Sequence, residues 1–505
     1  MEGYLMKKLK VFIIMSLMMI FLVKPRTVLA KSLGSFQPKM INENSNYRIY
    51  QKLTRKGPAG SMGLARTFKY GNFQANAVRK VGKSKYYYVW IDGHKAGWLN
   101  QRAFLRDKID VAKNVSLVKN SHYSFPARDA INFATDSTGA VIDPDKVKAS
   151  QDEVLSNNAG KHKIKFSYGK ARAHTVVEVR SNAHEGVAKA NKTEQAGKAA
   201  SSWFKHYKTS GNWGKGASYA PETKPHVLKS KPFRLKTYFY QPATLSQDGE
   251  KIGVVGPVPE GVTISNGSMY ATMYESPHNT RAHIVAYKFN HVPNRYVMQK
   301  LPWLPWAEFT RLASEVKVSP NIKLGHGQAF GATDKYIYAI ANDHLLRHSA
   351  QSEEIMQISK KDLRIKRIWT FKIWNKSAKD GRYVHNAVFV NDKKFIAVYH
   401  SATEHRFEYW EVARRGNSWH PVEIGATKGE FMRNNSPVQG IAYDKKRKQI
   451  YLAFNDYLFK TNRAGKVLTS GHFHTGREFE GICVNDSYLY AELAQRPELL
   501  RQKIK

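Results

Sequence analysis

Five segments in the C-terminal half of the chain are variations on one strand pair, and this repeat constrains the fold more than any other feature. PEGVTISNGSMYATMYES begins at Pro259, GHGQAFGATDKYIYAIAND at Gly325, VHNAVFVNDKKFIAVYHS at Val384, VQGIAYDKKRKQIYLAFND at Val438 and FEGICVNDSYLYAEL at Phe479. Each has a polar residue, a small one, an apolar run, a Gly/Asn/Asp/Lys turn and a second run bearing Tyr or Phe, which is the pattern of a hairpin. Successive units are spaced 41 to 68 residues apart, the length of a four-stranded propeller blade with added loops. A β-sandwich also supplies many short strands, but not five copies of one opening. The expected fold is mainly β: a five-bladed β-propeller over 231–505, preceded by a small barrel.

In a propeller the innermost strand of each blade lines the axial channel. A polar residue repeated at its start therefore projects toward one shared mouth. Glu260, Gln328, Asn386, Gln439 and Glu480 hold that position, with His326 and His385 beside two of them. Two carboxylates and three amides are oxygen-rich chemistry, suited to a calcium ion, to trapped water or to a sugar hydroxyl. The repeat faintly resembles the helveticin J family of secreted bacteriocins, through VQGIAYDKKRKQIYLAF and EFEGICVNDSYLYAEL. That resemblance implies a propeller and an antibacterial or wall-directed role.

Upstream, YRIYQKL, GLARTF and KYYYVWIDGHKAGWLNQRAF are short, aromatic and Gly-punctuated, with Asp92-Gly93 as a hairpin turn. Tyr86, Tyr88 and Trp90 share one strand face, Tyr87 and Val89 the other. A small SH3-like barrel over 47–106 fits these signals, with aromatics such as Tyr86, Tyr88, Trp90 and Trp98 read first as its core. The block containing Gly97-Trp98 resembles the GW module, the SH3-like cell-wall domain of Gram-positive surface proteins. The resemblance implies noncovalent attachment to teichoic or lipoteichoic acid. Arg66, Lys69, Arg79, Lys80, Lys83 and Lys85 would pair with its phosphates, and Trp98 would stack on its sugars.

Charge agrees with a polyanionic partner. Lys and Arg number 81 against 40 Asp and Glu, a formal net charge of +41. Residues 1–30 read as a signal peptide: a basic stretch at Lys7–Lys10, thirteen mostly apolar residues from Val11 to Val23, and a cleavage site after Ala30. A membrane-spanning helix needs about 20 such residues. Export sets aside nucleic acid, the default partner of a basic cytoplasmic protein, and leaves wall glycopolymers. The expectation is a secreted, wall-associated monomer with no transmembrane segment once the signal is cut.

Residues 31–46, rich in Ser and Asn, read as a linker. Residues 107–230 read as a basic connecting region, part helical. It has a helix near Pro144 to Asn157, a strand pair in KHKIKFSYGKARAHTVVEVR and an Ala-rich helical stretch reaching Tyr207.

The chemistry of catalysis is thinly signed. The single cysteine, Cys483, lies in an apolar strand and excludes an intramolecular disulfide. No Gly-x-Ser-x-Gly elbow or His-Glu-x-x-His helix is present. His472, His474, Arg477 and Glu478 gather in GHFHTGREFEG, a loop with phosphate- or metal-binding residue types. A binding protein is therefore favoured over the alternative, a helveticin-like antibacterial or hydrolytic protein acting at the axial site.

Overall fold

The polar-then-small opening of each repeat has a steric cause, visible where the inner strands converge. A Cβ on Gly261 would stand 2.4 Å from the Gly327 carbonyl oxygen, and one on Gly481 2.7 Å from the Val262 nitrogen. Larger residues at these points would push neighbouring blades apart. The computed structural model describes residues 30–505 apart from 122, 184–185, 188–194, 197–220, 243–254, 257, 277–278, 342–352, 375–380, 431–436 and 495. The signal-peptide segment and the Ala-rich stretch ending at Tyr207 lie outside the described residues.

The five repeats are five antiparallel blades. Their inner strands are Val258–Ser265, Phe330–Ala332, Asn386–Asn391, Gly440–Asp444 and Phe479–Asn485. Each touches the next, and the fifth returns to the first. Blade 4 is built from consecutive strands, Gly440–Asp444, Gln449–Phe454, Tyr457–Asn462 and Val467–His472. Blade 5 is composite. Its outer strand is Phe233–Tyr240, which pairs with Glu498–Lys503 near the end of the chain in the register Lys236 to Arg501 and Tyr240 to Glu498, and Val227–Ser230 adds one more strand. The ring is thus closed by joining two distant parts of the sequence.

The amino-terminal module is a six-stranded sheet in the order Lys31–Lys39, Phe73–Val81, Ser84–Ile91, His94–Asn100, Arg48–Leu53, Pro58–Leu64. Asp92 and Gly93 both have positive φ, 46° and 81°, as the predicted hairpin requires. The expected linker is corrected here. Lys31–Lys39 is an edge strand, with Lys39 opposite Phe73 and Gln37 opposite Ala75, because Leu33 packs on the barrel core and Phe36 lies edge-on to Trp90. Polar composition hid these two anchors.

The aromatic faces also differ from expectation. Tyr87, Val89 and Ile91 point into the core, whereas Tyr88 and Trp90 lie on the outer face and are half-buried. Trp98 meets Tyr88 edge-on at 5.3 Å on that same side. Gly97 is needed for a further reason: at φ +124° a Cβ there would lie 2.5 Å from the Tyr50 carbonyl oxygen of the adjacent strand. Gly97→Ala is expected to cost about 2–3 kcal/mol through backbone strain and this clash. A thermal melt would check it, and an unshifted Tm would refute it.

Residues 107–180 are strands fused to the propeller. Asn114–Val118 runs parallel to Ile365–Phe371, the outer strand of blade 2, and to Ala171–Arg180. The predicted pair Gly160–Tyr168 and Ala171–Arg180 is present. The helix predicted near Pro144 to Asn157 is replaced by one 3-10 turn, Pro144–Lys146, capped by Asp143. Short strands follow at Lys148–Ala149 and Glu153–Leu155. The cap and proline start a helical turn, but Val147 and Val154 are each buried in the sheet core, and nothing sustains a helical apolar face.

The barrel and the propeller share one apolar core. Helix Trp306–Ala313, inserted in blade 1, presents Phe309 to Phe68 at 5.7 Å and to His94 at 4.1 Å. The Trp306 indole N–H donates to the Met62 carbonyl at 2.7 Å. Ile49, Phe68 and Val89 of the barrel belong to the same buried cluster as Val262, Met269 and Leu312.

Candidate functional site at the propeller axis

The five axial residues meet in one hydrogen-bonded cluster, all buried. Gln328 is its hub. Its Nε2 donates to Gln439 Oε1 at 2.9 Å and lies 3.1 Å from Glu480 Oε2 and 3.3 Å from Glu260 Oε2. Asn386 Nδ2 lies 2.6 Å from the Val438 carbonyl and 3.3 Å from Gln328 Oε1. The chain of donors continues outward: Gln439 Nε2 to Asn455 Oδ1, then Asn455 Nδ2 to Glu478 Oε1, each 3.4 Å.

The two ring carboxyls also hydrogen bond to one another. Burial pushes the carboxyl of Glu260 well above its ordinary range, and the charge of Glu478 pushes the same way. Glu480 rises likewise, through burial and then the charge of Glu260. Glu492, on the next strand of blade 5, is pushed up to about 8 by burial, although Gln241 donates to it. Burial favours the protonated form of a carboxyl over the charged one.

Over the pair sit the two predicted histidines. His326 Nε2 is 3.4 Å from Glu260 Oε2, and its ring stacks on His385 at 4.7 Å and 27°. Tyr383 extends the stack beyond His385. The arrangement offers a polar floor and a flat aromatic wall. It does not fit the calcium ion expected from its composition. Calcium wants several charged or carbonyl oxygens facing outward, whereas here the Gln328 amide N–H group faces the oxygens of Glu260, Gln439 and Glu480. Among the described residues, no group of three or more His, Cys, Asp or Glu side chains is arranged to hold a metal ion.

Other predicted sites fall out as follows. Lys80 and Lys85 face each other across one hairpin, with Lys83 in its turn, and all three are exposed. Arg66 is exposed and donates to Asn46 at 2.6 Å. Lys69 is exposed beside Tyr70, and Arg79 is half-buried, donating to the Leu53 carbonyl at 2.9 Å. His472 and His474 lie 4.5 Å apart, the first flat against Tyr457. Arg477, in contrast, is taken up inside the protein, by Glu498 at 2.6 Å and the Ala494 carbonyl at 2.9 Å. It straps blade 5 together rather than awaiting a phosphate. Cys483 is buried, and burial pushes its thiol pKa up, so it is an unreactive core group.

Sequence reasoning missed Glu492, Gln241 and Asn455. None occupies the repeated position, and their convergence depends on the packing of neighbouring strands.

Fold and site together define a mainly β protein: a small SH3-like barrel followed by a five-bladed propeller with a buried, hydrogen-bonded polar axis. Residues 37–105 match the family model of the GW (Gly-Tryp) dipeptide domain. No curated protein matches the chain. Among solved structures, the chain is similar to a glutaminyl cyclase of Myxococcus xanthus, at 10% identity over 55% of this chain and 94% of that one, with a TM-score of 0.29. It is also similar to the β-propeller domain of Cps50 (Swd1) from Myceliophteria thermophila, at 12% identity over 54% and 80%, with a TM-score of 0.26. A protein from Lactobacillus plantarum aligns at 11% identity over 56% and 83%, with a TM-score of 0.25. At TM-scores below 0.5 these likenesses bear on neither site nor activity. Among the described residues, no helix is long and apolar enough to cross a membrane.

Proposed function

We propose that the protein is exported and held on the Gram-positive cell wall by its GW module, which binds teichoic or lipoteichoic acid. The propeller is then a binding face, its axial mouth taking a hydroxyl-bearing ligand through Glu260, Gln328, Asn386, Gln439 and Glu480 under the rings of His326 and His385. The observation that carries this reading is the match at 37–105 on a barrel whose outer side bears the Tyr88 and Trp98 pair and exposed lysines 80, 83 and 85. Lysine ammoniums attract phosphate, and the half-exposed aromatics offer faces to the polyol or sugar between phosphates.

Binding of this kind is long-range and electrostatic, so it weakens steeply with salt. Retention of the purified protein on isolated walls is expected to be strong at about 0.05 M salt and largely lost at about 0.5 M, where the screening length is several-fold shorter. The Lys80→Gln, Lys83→Gln, Lys85→Gln variant is expected to release at lower salt than the wild type. Retention indifferent to salt would remove the electrostatic basis. Breakdown of wall polymer in the same incubation would replace the binding role by a hydrolytic one.

A further inference from the structure

Tyr70 stands where the barrel meets blade 1. Its carbonyl accepts the Val318 N–H at 2.6 Å, and two ammonium groups lie around its ring. Lys69 Nζ, from the barrel, is 5.2 Å from the ring centre, and Lys317 Nζ, from the outermost strand of blade 1, is 5.4 Å from it. Lys288, exposed at the end of the neighbouring strand, adds a third positive charge. Burial and then the charges of Lys288 and Lys69 lower the pKa of Lys317. Like charges gathered in this way repel, and an arriving anion relieves the repulsion.

Three of the nearby carboxylates are paired with other cations, although the charges of Asp362 and Glu315 still reach Lys317. Arg364 holds Glu43 at 3.2 Å, Lys366 holds Asp362 at 2.6 Å, and His291 holds Glu315 at 2.8 Å. Lys69 and Lys317 make no ion pair with any described residue. Against this joint opens a cavity of about 140 Å³, lined by the cations Lys39, Lys69 and Arg364, by Tyr70 and by the carboxylates Glu275 and Asp362 among others. That volume admits several waters or one small polar group.

We propose that this joint is a phosphate site completed by the propeller: a phosphodiester polymer lying on the barrel crosses onto blade 1 and is gripped between Lys69 and Lys317. The inference rests on the polymer-binding reading above and adds that the barrel alone is an incomplete site. The two ammoniums, of which Lys317 Nζ also donates to the Lys361 carbonyl at 3.4 Å, supply the counter-charges, the Tyr70 ring lies beside both, and the cavity receives the unit between two phosphates.

The test measures binding of deacylated lipoteichoic acid, a polyglycerol phosphate, to the full chain after signal removal, over a series of salt concentrations. Lys69→Gln with Lys317→Gln is expected to weaken binding about tenfold at low salt. It should also lower the slope of log affinity against log salt by about 1.5, the amount for two lost phosphate contacts. The two single variants should be non-additive, because both lysines hold one segment of polymer. A control pair, Lys335→Gln with Lys445→Gln, removes the same charge from exposed positions elsewhere and is expected to change binding less than twofold. Unchanged affinity in the joint variant, or an equal loss in the control, overturns the joint while leaving wall binding intact. Failure of the wild type to bind the polymer overturns both.

Discussion

Glu498→Ala is expected to cost roughly 3–5 kcal/mol, the usual penalty for removing one partner of a buried ion pair. Glu498 is fully buried and ties three separate stretches of chain: it accepts from Arg477 Nη1 at 2.6 Å, His226 Nδ1 at 2.8 Å and Thr237 Oγ1 at 2.5 Å. Arg477 precedes the inner strand of blade 5, whereas Thr237 lies on the amino-terminal strand that closes it. Alanine would leave Arg477 partly buried without its counter-charge, at the seam joining the two ends of the ring. Glu498→Gln keeps the shape and should lose less. Urea unfolding monitored by tryptophan fluorescence checks the order wild type, glutamine, alanine. Equal midpoints for all three would mean that strand pairing alone closes the ring. Burial acting alone would raise the Glu498 carboxyl, but the hydrogen bond from His226 and the charge of Arg477 hold it below its usual range. Its contribution is therefore present above the ordinary carboxyl range and is lost as pH falls through its folded value.

The axial acids have the opposite sign. Glu260 and Glu480 are raised well above the ordinary value, and Glu492 stands at about 8. The folded protein holds protons there that the unfolded chain releases above about pH 4.5. Stability conferred by these groups is complete below that pH and declines as pH rises toward the folded values, by about 1.4 kcal/mol per pH unit for each proton retained. The wild-type melting temperature is expected to drop between pH 5.5 and 8.5. Glu260→Gln with Glu480→Gln removes both titrating groups at nearly constant shape, so the variant should be more stable than the wild type at pH 8 and close to it at pH 5. Parallel stability profiles would show that the pair is not protonated in the folded state.

What the sequence discloses follows from what is repeated or local. The blades are legible because close approach at the axis imposes a polar and then a small residue five times, at Glu260-Gly261 as at Glu480-Gly481. The Asp92-Gly93 hairpin is legible because positive φ restricts the residues that fit. Phe233–Tyr240 alternates buried and exposed residues as a strand does, but its partner is Glu498–Lys503, and no local pattern encodes that pairing. Asn114–Val118 is hidden for the same reason, being sandwiched in parallel between two distant strands. At the axis the five ring positions are readable, while Glu492 enters from an adjacent strand. Lys317 carries only the weak signal of a charge alternating between Val316 and Val318.

The shared core beneath helix Trp306–Ala313 bears on how a wall-held propeller would be oriented. A domain hung from a flexible tether samples every direction, and its anchor can be cut off or moved to another protein. Here Phe309 lodges between Phe68 and His94, so the barrel cannot turn without the blade. Polymer gripped by the one would fix the heading of the other, and a pull on the strand would load the propeller as a torque rather than slacken a leash. The axial mouth would then face a set direction relative to the wall, and excising the barrel would strip the propeller of part of its own interior.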